Sequence, residues 1–258
     1  YLNRCKSTSS MPDKSYLNDL ILTLNKGYLS TSLSIQPFVD EGWHSLVMKE
    51  QLNSLVKDGY AYPSFSSLRQ EKFLLSKAAC REALDTIRDT VPEIHDGIKT
   101  LISNIVIGKG RHIVAVTSPH FYGTVFASAP LLSNDKLYFI DHLVHEMSHL
   151  YLNTILAFDS LVINSTDRYP APIRQDIRPL LGIYHATFVL SRIIYTLKKI
   201  LTANIFEASE HLKSYILDLE KKILKGHKTI SSYARMTENG QIIFSSMLKT
   251  ASISTVDA

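Results

Sequence analysis

The chain has 258 residues, of which 45% are apolar and 20% are charged, so it can bury a real core as one large domain or two small ones. Its net charge of +4 comes from scattered lysines and arginines without a basic stripe, which argues against nucleic acid as a partner. It has two cysteines without CxxC spacing, no signal-peptide pattern and, by inspection, no apolar stretch of membrane-spanning length, so we expect a cytoplasmic protein without a membrane partner.

The first part of the chain is predicted to be helical. Residues 1–14 are polar and rich in serine, and we expect them to be loose. Apolar residues at helical spacing predict helices over residues 15–25, 46–58, about 67–86 and about 90–105. Ser67 and Gln70 resemble a capping box at the start of the third helix, and Pro92 suits the first turn of the fourth.

The central part of the chain has a residue pattern typical of strands and turns. Gly108-Lys109-Gly110 is a turn signal, and the β-branched runs 112–117 and 121–128 after it predict a pair of strands. The segment Ser133-Asn134-Asp135 is a candidate cap for a helix over residues 135–157.

The last part is predicted to begin with a proline-containing loop over residues 164–180. Helices are then expected over 181–202, over 206–225 with Gly226 as its C-cap, and over 229–248, interrupted or bent near Gly240. The predicted fold is therefore mainly α. A single helical domain spans residues 15–258, with a small β-hairpin or sheet beside the helix that carries a metal site within residues 135–202.

The segment His145-Glu146-Met147-Ser148-His149 fits the pattern HExxH. Two imidazoles four residues apart lie on one face of a helix, where both can bind one metal ion. In a metallopeptidase with this pattern, the glutamate, here Glu146, is the general base.

A third metal ligand has more than one candidate. The metzincin continuation of the motif is broken, because Leu152 and Ile155 occupy its glycine and histidine positions. His185 is the better candidate, since it lies in the most apolar predicted helix, where a polar ring needs a partner. Glu207 and Glu210 are also available, although acids are expected near a helix start.

The loop between the two helices carries Arg174 and Arg178, flanked by prolines. A guanidinium held by a stiff loop suits bidentate binding of a carboxylate. The alternative is a salt bridge within the loop, with Asp176 or Asp167 as its partner.

Together these segments resemble a known family. HExxH is followed after about twenty residues by Ala171-Pro-Ile-Arg-Gln-Asp-Ile-Arg-Pro-Leu180 and by Gly182-Ile-Tyr-His185. This succession is similar to the HEXXH motif domain family, the 2-oxoglutarate-dependent HExxH-type peptide β-hydroxylases of ribosomal peptide biosynthesis. The resemblance covers residues 121–195, and Ile173 stands where the family pattern has tryptophan.

The resemblance implies an oxygenase that uses Fe(II), 2-oxoglutarate and O₂ to hydroxylate the β-carbon of a residue in a ribosomally synthesised precursor peptide. It implies His145, His149 and His185 as iron ligands and Arg174 or Arg178 as the group that binds a carboxylate of 2-oxoglutarate. Glu146 would orient a ligand, hold a water or contact the peptide. Two other hypotheses stay open: a zinc metallopeptidase with Glu207 or His185 as third ligand, and a non-catalytic module that binds peptides.

Overall fold

The computed structural model describes residues 33–57, 60–118, 121–132, 135–171, 176–205 and 209–253. Within these ranges the protein is mainly α, as the sequence predicts, with seven helices and a small sheet. The predicted loose segment 1–14 and the predicted helix 15–25 lie outside the described residues.

The helices are α1 (Gly42–Lys57), α2 (Gln70–Thr90), α3 (Pro92–Leu101), α4 (Lys136–Leu156), α5 (Leu180–Thr202), α6 (Ser209–Tyr233) and α7 (Glu238–Thr250). The strands are β1 (Ser34–Pro37), β2 (Ser64–Ser66), β3 (Asn104–Arg111), β4 (Ala115–Val116), β5 (Thr124–Ser128), β6 (Arg168–Pro170) and β7 (Ile177–Pro179).

The main sheet has β3 at its centre, a strand that was not predicted from the sequence. β3 pairs in parallel with β1 and β5, β4 adds to β5 in antiparallel fashion, and β2 pairs with β3. The predicted pair of strands is therefore confirmed as β4 and β5, which pair antiparallel. The predicted turn at Gly108-Lys109-Gly110 is wrong, because both glycines lie within β3. A Cβ at Gly108 would overlap the ring of Phe65, so this glycine marks close packing on a strand.

The predicted helix over residues 90–105 is too long. α3 has proline in its first turn, as expected, but ends at Leu101, and Ile105 already belongs to β3. The predicted capping box at Ser67 also fails. α2 begins after Arg69 without a side-chain cap, and the Ser67 hydroxyl donates a hydrogen bond to Asp40.

The C-terminal helices differ from their predicted bounds at both ends. Gly226 lies inside α6 and does not cap it. A Cβ at this position would overlap Thr187 of α5, so this glycine permits the close packing of the two helices. The predicted helix over 229–248 spans a real break at residues 234–237. There, the backbone of Met236 pairs with Val162, and Arg235 N–H donates to Asn164 Oδ1. These tertiary hydrogen bonds replace the helical ones, so α7 starts only at Glu238.

α5 is the centre of the helical layer. It packs against α4 on one side and α6 on the other, and also contacts α2 and α7. By length and composition alone it is apolar enough to cross a membrane, which corrects the expectation that no stretch qualifies. In this structure, 67% of its most apolar window is buried inside the protein, as for a core helix.

α4 is held by burial along most of its length. Asp135 caps it as predicted, because its side chain accepts a hydrogen bond from Tyr138 N–H. The apolar residues around the histidines are all fully buried, and they are Ile140, Leu143, Val144, Met147 and Leu150. This packing holds the backbone of the HExxH turn against α5 and the sheet.

Candidate metal centre

The two histidines of the HExxH segment lie on one face of α4, with their Nε2 atoms 3.1 Å apart. Two imidazole nitrogens that bind one ion at about 2.1 Å are about 3.0 to 3.4 Å apart. The observed separation of the His145 and His149 nitrogens therefore suits a shared metal ion. Which of the two nitrogens donates in this contact depends on the tautomer, and the ring that donates has to move its proton to Nδ1 before its Nε2 can bind a metal.

His185 reaches the same place from α5. Its Nδ1 atom lies 3.4 Å from Nδ1 of His149, and the two rings stack with centroids 5.6 Å apart. His149 thus turns its Nε2 to His145 and its Nδ1 to His185. The two nitrogens of one imidazole point away from each other, so a single ion cannot sit at both.

The three rings are therefore neighbours, but as placed they do not converge on one point. Among the residues that the structure describes, no group of three or more His, Cys, Asp or Glu side chains is arranged to hold a metal ion. His145 and His149 fit a metal as a pair. Ligation by His185 as well requires its ring to turn toward the two Nε2 atoms.

Burial keeps the imidazoles of His149 and His185 in the form that binds metals. Desolvation lowers the pKa of His149 to about 4. Desolvation, and then the neighbouring charge of His149, lowers the pKa of His185 to about 4 as well. Both rings are neutral at pH 7, and a neutral imidazole offers a lone pair without first losing a proton.

A cavity of about 350 Å³ opens beside the three histidines, and we call it the histidine cavity. Its other lining residues are mainly small or apolar and come from α5 and the preceding loop: Ala171, Arg178, Gly182, Ile183, Ala186, Val189 and Leu190. Its volume is in the range of small-molecule sites, and it combines apolar walls with a few polar groups.

Arg178 is the cation of this cavity. Its Nε donates to both oxygens of Asp176, at 3.1 and 2.9 Å, so the predicted loop salt bridge is present. Its two Nη nitrogens have no hydrogen-bond partner among the described residues. Its side chain is 38% exposed, so the salt bridge contributes little stability and leaves the guanidinium able to bind an incoming carboxylate. Arg174 lies outside the described residues.

Glu146 faces away from the histidine cavity. It is only 5% exposed and accepts a hydrogen bond from the backbone N–H of Thr117, at the end of β4. Desolvation raises its pKa to about 8, and the Thr117 hydrogen bond opposes this only in part. In this state Glu146 holds a proton at neutral pH, whereas a general base has to be ionised.

A second cavity, also of about 350 Å³, lies on the other side of His145 and was not predicted from the sequence. We call it the edge cavity because β4, the edge strand of the sheet, forms one wall. Its lining residues are Gln51, Leu55, Tyr60, His112, Ile113, Val114, Ala115, Val116, Asp141, His142, His145 and Glu146. His145 lines both cavities, so the HExxH turn stands between them. The β-branched run 112–117 was the one sequence signal for this wall.

His142, one turn before His145 on α4, and the candidates Glu207 and Glu210 do not join the three histidines. His142 lines the edge cavity, where its Nδ1 lies 2.7 Å from the carbonyl oxygen of Tyr138, one turn back on α4. Glu210 is 86% exposed and pairs with Lys213 on the surface of α6. Glu207 lies outside the described residues.

Comparison with known proteins adds no family assignment. No protein-family model matches the chain, and no curated protein matches it. The likeness to HExxH-type peptide hydroxylases therefore rests on the motif residues themselves.

Proposed function

We propose that this protein is an Fe(II)- and 2-oxoglutarate-dependent oxygenase that hydroxylates the β-carbon of a residue in a ribosomally synthesised precursor peptide. The observation that carries the proposal is the histidine cavity, in which three imidazoles and one guanidinium line the same small space. The resemblance of residues 121–195 to the peptide hydroxylases supplies the reaction type.

In this proposal His145 and His149 hold the iron, and His185 completes the set after its ring turns. Imidazoles suit Fe(II), and three protein ligands leave positions open for a 2-oxo acid and for O₂. When bound, iron supplies the oxygen chemistry. The balance is one C–H bond, O₂ and 2-oxoglutarate converted to one C–OH bond, succinate and CO₂.

The protein's own residues position the reactants. Arg178, or Arg174 on the same loop, binds the carboxylate of 2-oxoglutarate that lies far from the metal. The apolar walls formed by Ile183, Val189 and Leu190 keep water away from the bound 2-oxo acid. Glu146 is not needed as a base, which agrees with its raised pKa of about 8.

The test is a single-turnover assay with a mass readout. Protein is loaded anaerobically with Fe(II), 2-oxoglutarate and the precursor peptide encoded beside the gene, and O₂ is then admitted. We expect the peptide to gain about 16 Da, the mass of one oxygen atom, with iron and not with zinc. His149→Ala should abolish the gain, whereas His211→Ala, at an exposed position of α6, should leave it unchanged. An unmodified peptide with fully loaded, folded protein would refute the proposal.

A zinc metallopeptidase is the second candidate, and one observation favours it. His145 and Glu146 line the same edge cavity, as a metal ligand and a base need to do to act on one peptide bond. The same assay decides between the two, because peptide cleavage with zinc supports the peptidase. Tight peptide binding without turnover under either metal supports the non-catalytic module.

A further inference from the structure

The edge cavity lies between two elements that run side by side. At one end of β4, the hydroxyl oxygen of Tyr138 on α4 is 3.2 Å from the carbonyl oxygen of Val114. At the other end, Glu146 accepts a hydrogen bond from Thr117 N–H. Eight helical residues span about 12 Å and three strand residues about 10 Å. The helix segment from Tyr138 to Glu146 therefore follows β4 along its whole length and in the same direction.

The outer edge of β4 is open to pairing at Ala115. Among the described residues, β5 is the one strand that pairs with β4, and Ser128 N–H donates to Val114 O. In an antiparallel ladder, residues alternate between bonding to the neighbouring strand and pointing their N–H and C=O away from it. Val114 and Val116 bond inward, so Ala115 presents its N–H and C=O at the free edge, and Ala115 lines the edge cavity.

The α4 wall of the edge cavity carries an acidic residue. Asp141 lies one turn before His145, and its Oδ2 accepts a hydrogen bond from Tyr215 on α6, which leaves the other oxygen available. No lysine or arginine is among the described residues that line the cavity. A cationic group that enters beside Asp141 therefore meets a carboxylate without a competing ammonium or guanidinium.

We propose that the peptide substrate binds in the edge cavity as an added strand on β4, with a lysine or arginine side chain against Asp141. This inference rests on the proposed function and names the recognition element that the peptide has to carry. Ala115 supplies main-chain hydrogen bonds, which are independent of the peptide's sequence. Asp141 supplies the selection for a basic residue.

The spacing of the helix sets where that basic residue lies. Asp141 and His145 are four residues apart on α4, or about 6 Å along the helix axis. Two residues of an extended peptide span about 6.6 Å, and their side chains point to the same face. The basic residue therefore lies two positions from the residue that is modified beside His145.

Binding is tested first, without iron or 2-oxoglutarate, so that the result does not depend on turnover. The probes are dye-labelled Ser/Thr octapeptides, blocked at the C-terminus, with a single central Lys, norleucine or Glu, and the readout is fluorescence anisotropy. We expect the Lys peptide to bind about tenfold more tightly than the Glu peptide at low salt. The protein's net charge of +4 favours the opposite order, so this preference has to come from the cavity.

Two variants separate the two contacts. Asp141→Asn keeps the acceptor for Tyr215 but removes the charge, and it should reduce the Lys-over-Glu preference to about twofold or less. Ala115→Pro removes the outward N–H without removing a bond to β5, and it should weaken the Lys and norleucine peptides alike. Ala115→Ser, which keeps the N–H, should bind these peptides more tightly than Ala115→Pro does. Glu210→Gln, which removes an exposed carboxylate of α6, is the control for Asp141→Asn and should bind as the unaltered protein does.

A peptide variant guards against misfolding of Ala115→Pro. A Lys octapeptide methylated at every backbone nitrogen cannot add as a strand, so it should not bind the unaltered protein. Equal binding of the Lys and Glu peptides overturns the inference. So does full binding of the methylated peptide, an unchanged preference in Asp141→Asn, or no binding of any probe.

Turnover then tests the spacing separately. In a precursor peptide that is hydroxylated, moving the basic residue from two positions to three positions from the modified residue should reduce hydroxylation about tenfold, because alternate residues face opposite sides. Unchanged hydroxylation overturns the spacing while the proposed function stands. Peptide binding as described, without hydroxylation under any condition, refutes the proposed function and leaves the docking mode intact.

Discussion

Glu146→Gln tests whether the HExxH glutamate is a buried, protonated acid in the metal-free protein. Burial raises the pKa of Glu146 from 4.5 to about 8. A carboxyl whose pKa is higher in the folded protein holds its proton there after the unfolded chain has lost it. The stabilising effect of this group is therefore fully present below pH 4.5 and is lost as the pH rises toward 8.

The magnitude follows from the two pKa values. The interval from 4.5 to about 8, at 1.36 kcal/mol per pH unit, corresponds to about 5 kcal/mol of unfolding free energy lost over that range. This is an upper bound, because the folded protein relaxes around the charge once it forms. In Glu146→Gln the glutamine has nearly the shape of the glutamate and can still accept a hydrogen bond from Thr117 N–H. It does not titrate, so the variant should lose none of this unfolding free energy as the pH rises.

The assay is urea unfolding of chelator-treated protein at several pH values between 5 and 9. The difference in unfolding free energy between Glu146→Gln and the unaltered protein should grow in favour of the variant as the pH rises. Glu210→Gln, which removes a surface carboxylate of α6, is the control and should follow the unaltered protein. Parallel stability curves for Glu146→Gln and the unaltered protein would show that Glu146 is already ionised and solvated, and would refute this reasoning.

Further predictions concern packing. In Gly240→Ala the new Cβ overlaps the backbone oxygen of Leu161, so we expect a loss of about 2–3 kcal/mol in urea unfolding. Gly182→Ala, where a Cβ meets nothing within 4 Å in α5, is its control and should gain about 0.5–1 kcal/mol. Tyr184→Phe removes a buried 2.8 Å hydrogen bond to the Gly240 carbonyl and should cost about 1–2 kcal/mol, and an unchanged urea midpoint would contradict this. Cys80 is fully buried, and burial raises the pKa of its thiol to about 12. In a variant that lacks the other cysteine, a thiol reagent should therefore label Cys80 only as fast as the protein opens. Rapid labelling in native buffer would contradict this burial.

Helical periodicity predicted the bounds of α4 and α5 well, because both helices carry apolar residues at helical spacing that pack against their neighbours. α4 and α5 lie within one residue of their expected bounds, 135–157 and 181–202. The segment Ser133-Asn134-Asp135 was identified as the cap of α4 from its residue types, and Asp135 provides the capping oxygen, which acts within four residues of its own position. Local rules suffice where the interactions are local.

Glycines were interpreted less well, because their role here is set by distant partners. Gly108 and Gly226 resemble turn and cap signals in the sequence, yet one lies in a strand against Phe65 and the other in a helix against Thr187. A glycine that permits a turn and a glycine that permits close packing are identical in sequence. The neighbour that distinguishes them is far along the chain.

The sequence by itself determined the helical class, the HExxH face of α4 and the presence of a histidine and arginines shortly after it. Only the tertiary structure decided that His185 contacts His149, that Arg178 lines their cavity, and that Glu146 turns to a second cavity along β4. The physical reason is that helix periodicity depends on residues three and four apart. The contacts of the site depend on how α4, α5 and an edge strand pack, and that packing is set by the whole core.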